Sequence, residues 1–365
     1  MITIQELTSY VESLFPTAIQ ESFDNSGLQT GRTSDKIKGV LVCLDVSDSV
    51  LQEAKSKGFN VIISHHPLIF SGLKKLTGSS DVERKIEFAI RNDIALYALH
   101  TNADKQFPGL NKFVGEKMGL QHIEVLSPEI DQLKKLVTFC PADYAEQVRK
   151  AIFHAGAGVI GEYESCSFNM EGIGTFKGSD NTDPFSGEPG KLHYAEEIRI
   201  ETIFPFYLEK KVLKALFESH PYEEVAFDIY KLENENPVSG MGVTGFLKQP
   251  LNQSEFLKFV KSFFNLSVLK YSGTHAEKIS KISFCGGSGS SLTHRAVQVK
   301  SDAFITGDLK YHDFEKGFPG FLLIDAGHYE TEIFFKEYIV NLLMKKFTNF
   351  AIQFSESEKN HVNYF

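Results

Sequence analysis

Val61-Ile62-Ile63-Ser64-His65-His66-Pro67 is an apolar run that ends abruptly in two imidazoles and a proline. Two distant stretches end in the same way. The run ALYAL at 95–99 leads into His100-Thr101-Asn102-Ala103-Asp104, and FLLI at 321–324 into Asp325-Ala326-Gly327-His328-Tyr329-Glu330-Thr331-Glu332. Short runs without polar alternation read as strands buried on both faces of a parallel sheet. Ligands of such sheets bind at the carboxyl ends of the strands. Three strands that all end in His, Asp or Glu therefore point to one polar site.

The residue types point to metal. Adjacent side chains in a strand face opposite ways, so His65 and His66 reach one site only at the strand end, where Pro67 biases His66 to an extended or turn conformation. Two neighbouring imidazoles then suit two ions lying side by side. His328 and Glu332 are four apart at the start of an apolar-periodic segment, and so share a helical face. Asp104 follows the third strand. A lone His at a strand end is more often a structural hydrogen-bonding residue, and a helical His–Glu pair is usually solvated. The coincidence of His65, His66, Asp104, His328 and Glu332 at strand ends carries the metal reading. Three His and two carboxylates suit zinc or another first-row divalent ion, with iron, manganese and nickel as alternatives, and the absence of Cys argues against a closed structural zinc site.

At 365 residues, with 42% hydrophobic and 23% charged residues, the chain has the composition of an ordinary globular protein with room for two or three domains. A formal net charge of -9 disfavours indiscriminate binding to nucleic acid or anionic membrane. Cys43, Cys140, Cys166 and Cys285 lie far apart without C-x-x-C spacing, as free thiols of a reducing compartment do. The first 15 residues are amphipathic and carry Glu6 and Glu12, unlike a signal peptide, and no apolar stretch approaches the ~20 residues that span a bilayer. The expected location is cytoplasmic.

Three segments follow from the order of elements. Residues 1–127 alternate strand and helix as a doubly wound α/β sheet does. Residues 128–238 read β-α-β-β-α-β, a ferredoxin-like arrangement in which 162–177 is expected to form two strands. An internal repeat supports this: Thr138, Pro141, Val148, Lys150, Ala151 and Phe153 recur as Thr202, Pro205, Val212, Lys214, Ala215 and Phe217. Residues 239–365 resume the α/β pattern. There Gly286-Gly287-Ser288-Gly289, between a strand and a helix, offers backbone N–H groups to an anion, with a tight turn as the equal alternative. His312 follows another strand end, and with His100 is a candidate for proton transfer, substrate contact or support of a ligand. The tail from Ser355 is expected to be mobile or a subunit contact.

Together S-F-D-N-x-G-L at 22–28, S-H-H-P-L-I-F at 64–70, H-T-N-x-D at 100–104, G-G-S-G at 286–289, T-G-D-x-x-Y-H at 306–312 and D-x-G-H-x-x-x-E at 325–332 resemble the Nif-three-like dinuclear metal-centre family, whose members are often labelled GTP cyclohydrolase 1 type 2 homologues. The resemblance covers 1–127 and 240–365, and the middle segment looks like the PII/CutA-like insert of the longer bacterial forms. It implies a two-part α/β core with an inserted ferredoxin-like (PII/CutA-like) α+β domain. It also implies two divalent ions per subunit, held by His65, His66, Asp104, His328 and Glu332. Homohexamers built as trimers of dimers, with their metal sites facing an internal cavity, complete the picture. Phe23 stands where the family commonly has Trp, and Ala103 where Leu is usual. Two functions fit: hydrolysis of a small molecule such as a nucleotide, or a metal-dependent scaffold or regulatory module without turnover.

Overall fold

The computed structural model describes residues 2–274, 277–315 and 317–364. The chain divides into two compact units, Met1–Pro128 with Val238–Phe365, and Glu129–Pro237.

The first unit contains two sheets. One has five strands in the order Gly27–Thr30, Ala95–Ala98, Val61–Ser64, Gly39–Cys43, Ala351–Phe354, all parallel except Gly27–Thr30. Every residue of its three central strands is buried, which is why their sequences show no alternation. Leu41, Ile62 and Leu96 pack on one side with Val50, Leu51 and Ala54 of helix Asp48–Lys57. Val40, Val42, Val61 and Ile63 point the other way, into the main core. The helix is capped by Ser47, whose hydroxyl accepts from the Val50 N–H, and it stops at Gly58 in a left-handed conformation.

The other sheet has six strands in the order Lys270–Ser272, Leu322–Asp325, Ala303–Gly307, Ile279–Ser288, Asn236–Leu251, Leu120–Glu129. Ile279–Ser288, Ala303–Gly307 and Leu322–Asp325 are mutually parallel. Their Ile282, Ile305 and Ile324 join the same core as Val42 and Ile63, together with Phe335, Ile339 and Leu343 of helix Phe334–Lys346. One continuous core thus ties both sheets together. No helix among the described residues is long and apolar enough to cross a membrane. All four cysteines are free, and only Cys166 is partly exposed.

Glu129–Pro237 forms an antiparallel four-stranded sheet in the order Phe168–Phe176, His193–Pro205, Leu133–Pro141, Phe227–Leu232, with helices Ala145–His154 and Glu209–Ser219 on one face. This is the ferredoxin-like topology. The repeat is visible in its packing. Val148 and Val212 are both fully buried, and the buried hydroxyls of Thr138 and Thr202 donate to the carbonyls of Ala226 and Cys166.

Three expectations change. Residues 162–177 contain one strand, Phe168–Phe176, because left-handed backbone at Ser165 (φ 59°) interrupts any extension before it. The apolar stripe from Tyr329 to Phe347 splits at Ile333 into a short helix His328–Glu332 and the longer Phe334–Lys346. The tail is pinned rather than free as far as Glu358. The Ser355 N–H donates to the Val42 carbonyl, and one carboxylate oxygen of Glu358 accepts from the N–H groups of Leu44 and Asp45.

Candidate metal centre

The carboxyl ends of strands from both sheets meet at one point. Beyond Ser64 the chain continues the ladder, with the His65 N–H donating to the Cys43 carbonyl and the His66 N–H to the Leu44 carbonyl. His65 is fully buried, and His66 is partly exposed. Their ring centroids are 5.1 Å apart. From the second sheet, Gly327 turns the chain with φ of 81°, and His328 and Glu332 project from one face of the short helix that follows. His328 Nε2 lies 3.2 Å from His66 Nε2, and Glu332 Oε2 lies 2.9 and 3.1 Å from these two nitrogens. Glu332 Oε1 is 3.5 Å from His65 Nε2, and Asp104 Oδ1 is 3.8 Å from that same nitrogen.

The outer nitrogen of each imidazole is already taken. His65 Nδ1 sits 2.8 Å from the Leu99 carbonyl, which only accepts, so the proton is on Nδ1 and the Nε2 lone pair faces inward. His66 Nδ1 is 2.9 Å from Asp45 Oδ1, His328 Nδ1 is 2.7 Å from Asp308 Oδ2, and His100 Nδ1 is 2.8 Å from Asp24 Oδ1. Imidazole ligands of metals are oriented from behind in this way. The buried His65 Nε2 and Glu332 Oε2 make no hydrogen bond of acceptable geometry among the described residues, despite the close approaches of Oε2. Uncompensated buried polar atoms are costly, and a cation between them removes the cost. The separations of 2.9–3.8 Å bracket the ~3.4 Å between adjacent ligand atoms of a tetrahedral zinc site. His65, His66 and Glu332 can together hold one metal ion.

Charge follows the same geometry. Burial alone would raise the Glu332 carboxyl and lower the imidazoles. Contact with His65, His328 and His66 outweighs this and holds Glu332 well below the usual carboxylate range. His66, held between Asp45 and Glu332, is pushed up to about 10 against its own burial. Contact with Glu332 lifts His328 to about 9 despite burial, with Asp308 adding to the effect. Asp104, equally buried but farther from the imidazoles, shifts the other way: burial raises its carboxyl.

His100 stands at the edge of this cluster, its ring centroid 5.4 and 5.6 Å from those of His65 and His66. Its partner Asp24 also accepts from the Thr101 N–H and hydroxyl. His312 lies elsewhere: its side chain is 83% exposed, and Nδ1 contacts Glu315. The glycine stretch does not form an open anion cradle. Strand Ile279–Ser288 runs through it, and the N–H groups of Gly286, Gly287 and Gly289 donate to Asn111, Thr331 and Thr306. Gly287 instead serves the metal cluster, since a Cβ there would lie 2.0 Å from Glu332 Oε1. Asp24, Asp45 and Asp308 are supporting residues that the sequence pattern does not single out as partners of the ligands.

Residues 2–361 match the family described as Duf34/NIF3 (NGG1p interacting factor 3). The chain belongs to the Duf34/NIF3 family. A Bacillus subtilis relative named GTP cyclohydrolase 1 type 2 homolog is 41% identical over 331 residues, covering 90% of this chain and 89% of its own length. One of the same name from Halalkalibacterium halodurans is 38% identical over 94% of this chain and 93% of its own. Among solved structures, a Bacillus cereus protein related to NIF3 aligns with a TM-score of 0.86 and 37% identity, covering 100% of this chain and 99% of that one. The fold is thus the NIF3 α/β core, in two chain segments, with an inserted ferredoxin-like domain.

Proposed function

We propose that this protein is a dinuclear metal-dependent hydrolase acting on a nucleotide or a related heterocycle, with GTP as the first candidate. The observation that carries the reading is the division of Glu332 between two sets of donors. Its Oε1 faces His65 and, beside it, Asp104, while its Oε2 faces His66 and His328. Two ions there would be held by His65 and Asp104 on one side and His66 and His328 on the other, with Glu332 within reach of both. All-imidazole and carboxylate donors suit zinc, with iron, manganese and nickel as the other candidates.

Divalent cations held there supply Lewis acidity and a water of lowered pKa. The protein's own residues do the rest. Leu99, Asp45 and Asp308 fix the imidazoles, so the site is organised before anything binds. His66 and His328 are partly exposed, which leaves one side open to a substrate. His100, oriented by Asp24 at Nδ1, leaves Nε2 free to pass a proton to or from a bound substrate. The exposed rings of Phe70 and Phe23 continue from His100, with centroid separations of 6.4 and 6.3 Å along the series, and offer a surface to a planar base. The name shared by the bacterial relatives makes GTP the natural first substrate.

The test is metal content per chain by mass spectrometry for the wild type and Asp104→Ala, followed by GTP turnover. The expected result is about two equivalents of a divalent metal in the wild type and a loss in the variant without unfolding, with turnover abolished by chelation and restored by metal. Absence of metal uptake overturns the proposal. Full metal loading without turnover of any nucleotide tested also overturns the hydrolase, and leaves a metal-dependent scaffold.

A further inference from the structure

The inserted domain carries a cavity of about 520 Å³ of its own. It lies on the sheet face opposite the two helices. Register places Phe139, Glu197, Gly174 and Phe176 on that face, whereas Cys140, Ile198 and Ile200 pack against the helices. The Gly/Pro/Ser-rich segment 178–190 roofs it. Its ends are tied by the Gly190 N–H donating to the Gly178 carbonyl, and its middle by the Asp183 N–H donating to Glu223. A loop closed on itself in this way acts as a fixed wall. Its Phe185 packs against Tyr144 and Tyr222, with centroids 5.4 and 5.9 Å apart, and Phe176 lies 6.3 Å from Tyr222 on the other side.

One carboxylate is built into this aromatic surround. The Tyr222 hydroxyl donates to Glu197 Oε1 at 2.9 Å. Glu197 Oε2 stands over Gly174, where a Cβ would lie 2.0 Å from it. Gly174 has an ordinary extended backbone, so what the glycine provides is room for the carboxylate. Glu223 and Glu224 also line the cavity, against a single Lys177. Aromatic rings around a net negative, partly desolvated space attract an organic cation through ring quadrupoles and direct charge.

We infer that the inserted domain is a binding site for a compact organic cation, an amine or amidinium with an apolar body, whose charge is met by Glu197 between Tyr222, Phe176 and Phe185. The site is independent of the metal centre, because all of its residues belong to Glu129–Pro237.

Calorimetric titration of the full-length protein with benzylamine, and with benzyl alcohol as its neutral counterpart, tests this. Benzylamine is expected to bind once per chain and at least about tenfold more tightly than benzyl alcohol. Glu197→Gln, which keeps an acceptor for Tyr222, should abolish that preference. Phe185→Ala, on an exposed loop, should weaken both ligands about fivefold without altering the fold. The inference is overturned if benzylamine does not saturate, if benzyl alcohol binds equally well, or if Glu197→Gln leaves the preference intact. Repetition with His65→Ala separates an amine held at the metal centre from one held here: binding lost in His65→Ala but kept in Glu197→Gln overturns the assignment.

Discussion

His66 and His328 each stand between two carboxylates, and this governs how the site takes up metal. Without metal, values near 10 and 9 keep both imidazoles protonated at neutral pH. A cation must displace those protons, so binding tightens as pH rises towards 9–10 and weakens below it. Calorimetry of metal uptake in buffers of different ionisation enthalpy should report a net release of protons at pH 7. Release near zero would mean that both imidazoles are neutral beforehand. The outer partners are the second test at this scale. Asp45→Ala and Asp308→Asn remove the carboxylate behind His66 or His328, both at positions open to solvent, and Asn suits the left-handed backbone at Asp308 (φ 56°). Each should weaken metal affinity by about 10- to 100-fold in competition with a chelator, with the circular dichroism spectrum unchanged. The rule that draws attention to the histidines reaches these partners too, since Asp45 lies two residues past one buried strand and Asp308 directly past another. What sequence does not show is the pairing. Asp45 is 21 residues from His66, and Asp308 is 20 from His328, so only the folded sheet order reveals which acid stands behind which imidazole.

At the scale of elements, legibility follows burial. Val61–Ser64, Gly39–Cys43 and Ala95–Ala98 are apolar because both faces are covered, and that leaves an unmistakable run. Ala351–Phe354 buries only Ile352, and Lys270–Ser272 buries nothing fully. Such edge strands owe their existence to a partner's unpaired backbone rather than to their own pattern. The tail departs from expectation for a related reason: its serines and charges look solvated until Glu53 is placed beside them. Glu53 accepts from the hydroxyls of Ser355 and Ser357 and from the Ser357 N–H, and also pairs with Lys57. Burial opposes ionisation, but these bonds win and hold the Glu53 carboxyl at about 2. A depressed carboxyl contributes stability above its unfolded value and loses it as pH falls towards the folded one. The clasp should therefore be intact at neutral pH and open progressively between about 4.5 and about 2. At neutral pH, Glu53→Gln should expose residues 355–358 to limited proteolysis at least several-fold faster than in the wild type. An unchanged digestion rate would show that Glu358, held by Leu44, Asp45 and Lys336, secures the tail alone.

For the whole molecule, the surface around the metal centre raises the question of assembly. Phe23, Phe70, Leu73 and Leu76 all expose large apolar side chains on the segments that flank His66 and His100. Single exposed apolar residues are ordinary, but the ring of Phe23 lies 6.3 Å from that of Phe70, and Leu73 and Leu76 follow on the same loop, an apolar surface of the kind that subunit contacts cover. The edge strand Lys270–Ser272 is less suited to such contacts, since it is short and carries a charge, features that blunt pairing with another chain. Assembly through the loops would enclose the open side of the metal centre, turning a surface cleft into a chamber that limits access by size. Sedimentation should accordingly give a species heavier than the 41.0 kDa chain, about six times that mass if it is the homohexamer that the family resemblance implies. Leu73→Asp with Leu76→Asp should lower that mass while metal content per chain stays the same, because both side chains are exposed and neither is a candidate ligand. A wild-type mass of one chain would remove the assembly. A hexamer that survives both substitutions would move the contact to another surface and leave the loops facing the substrate.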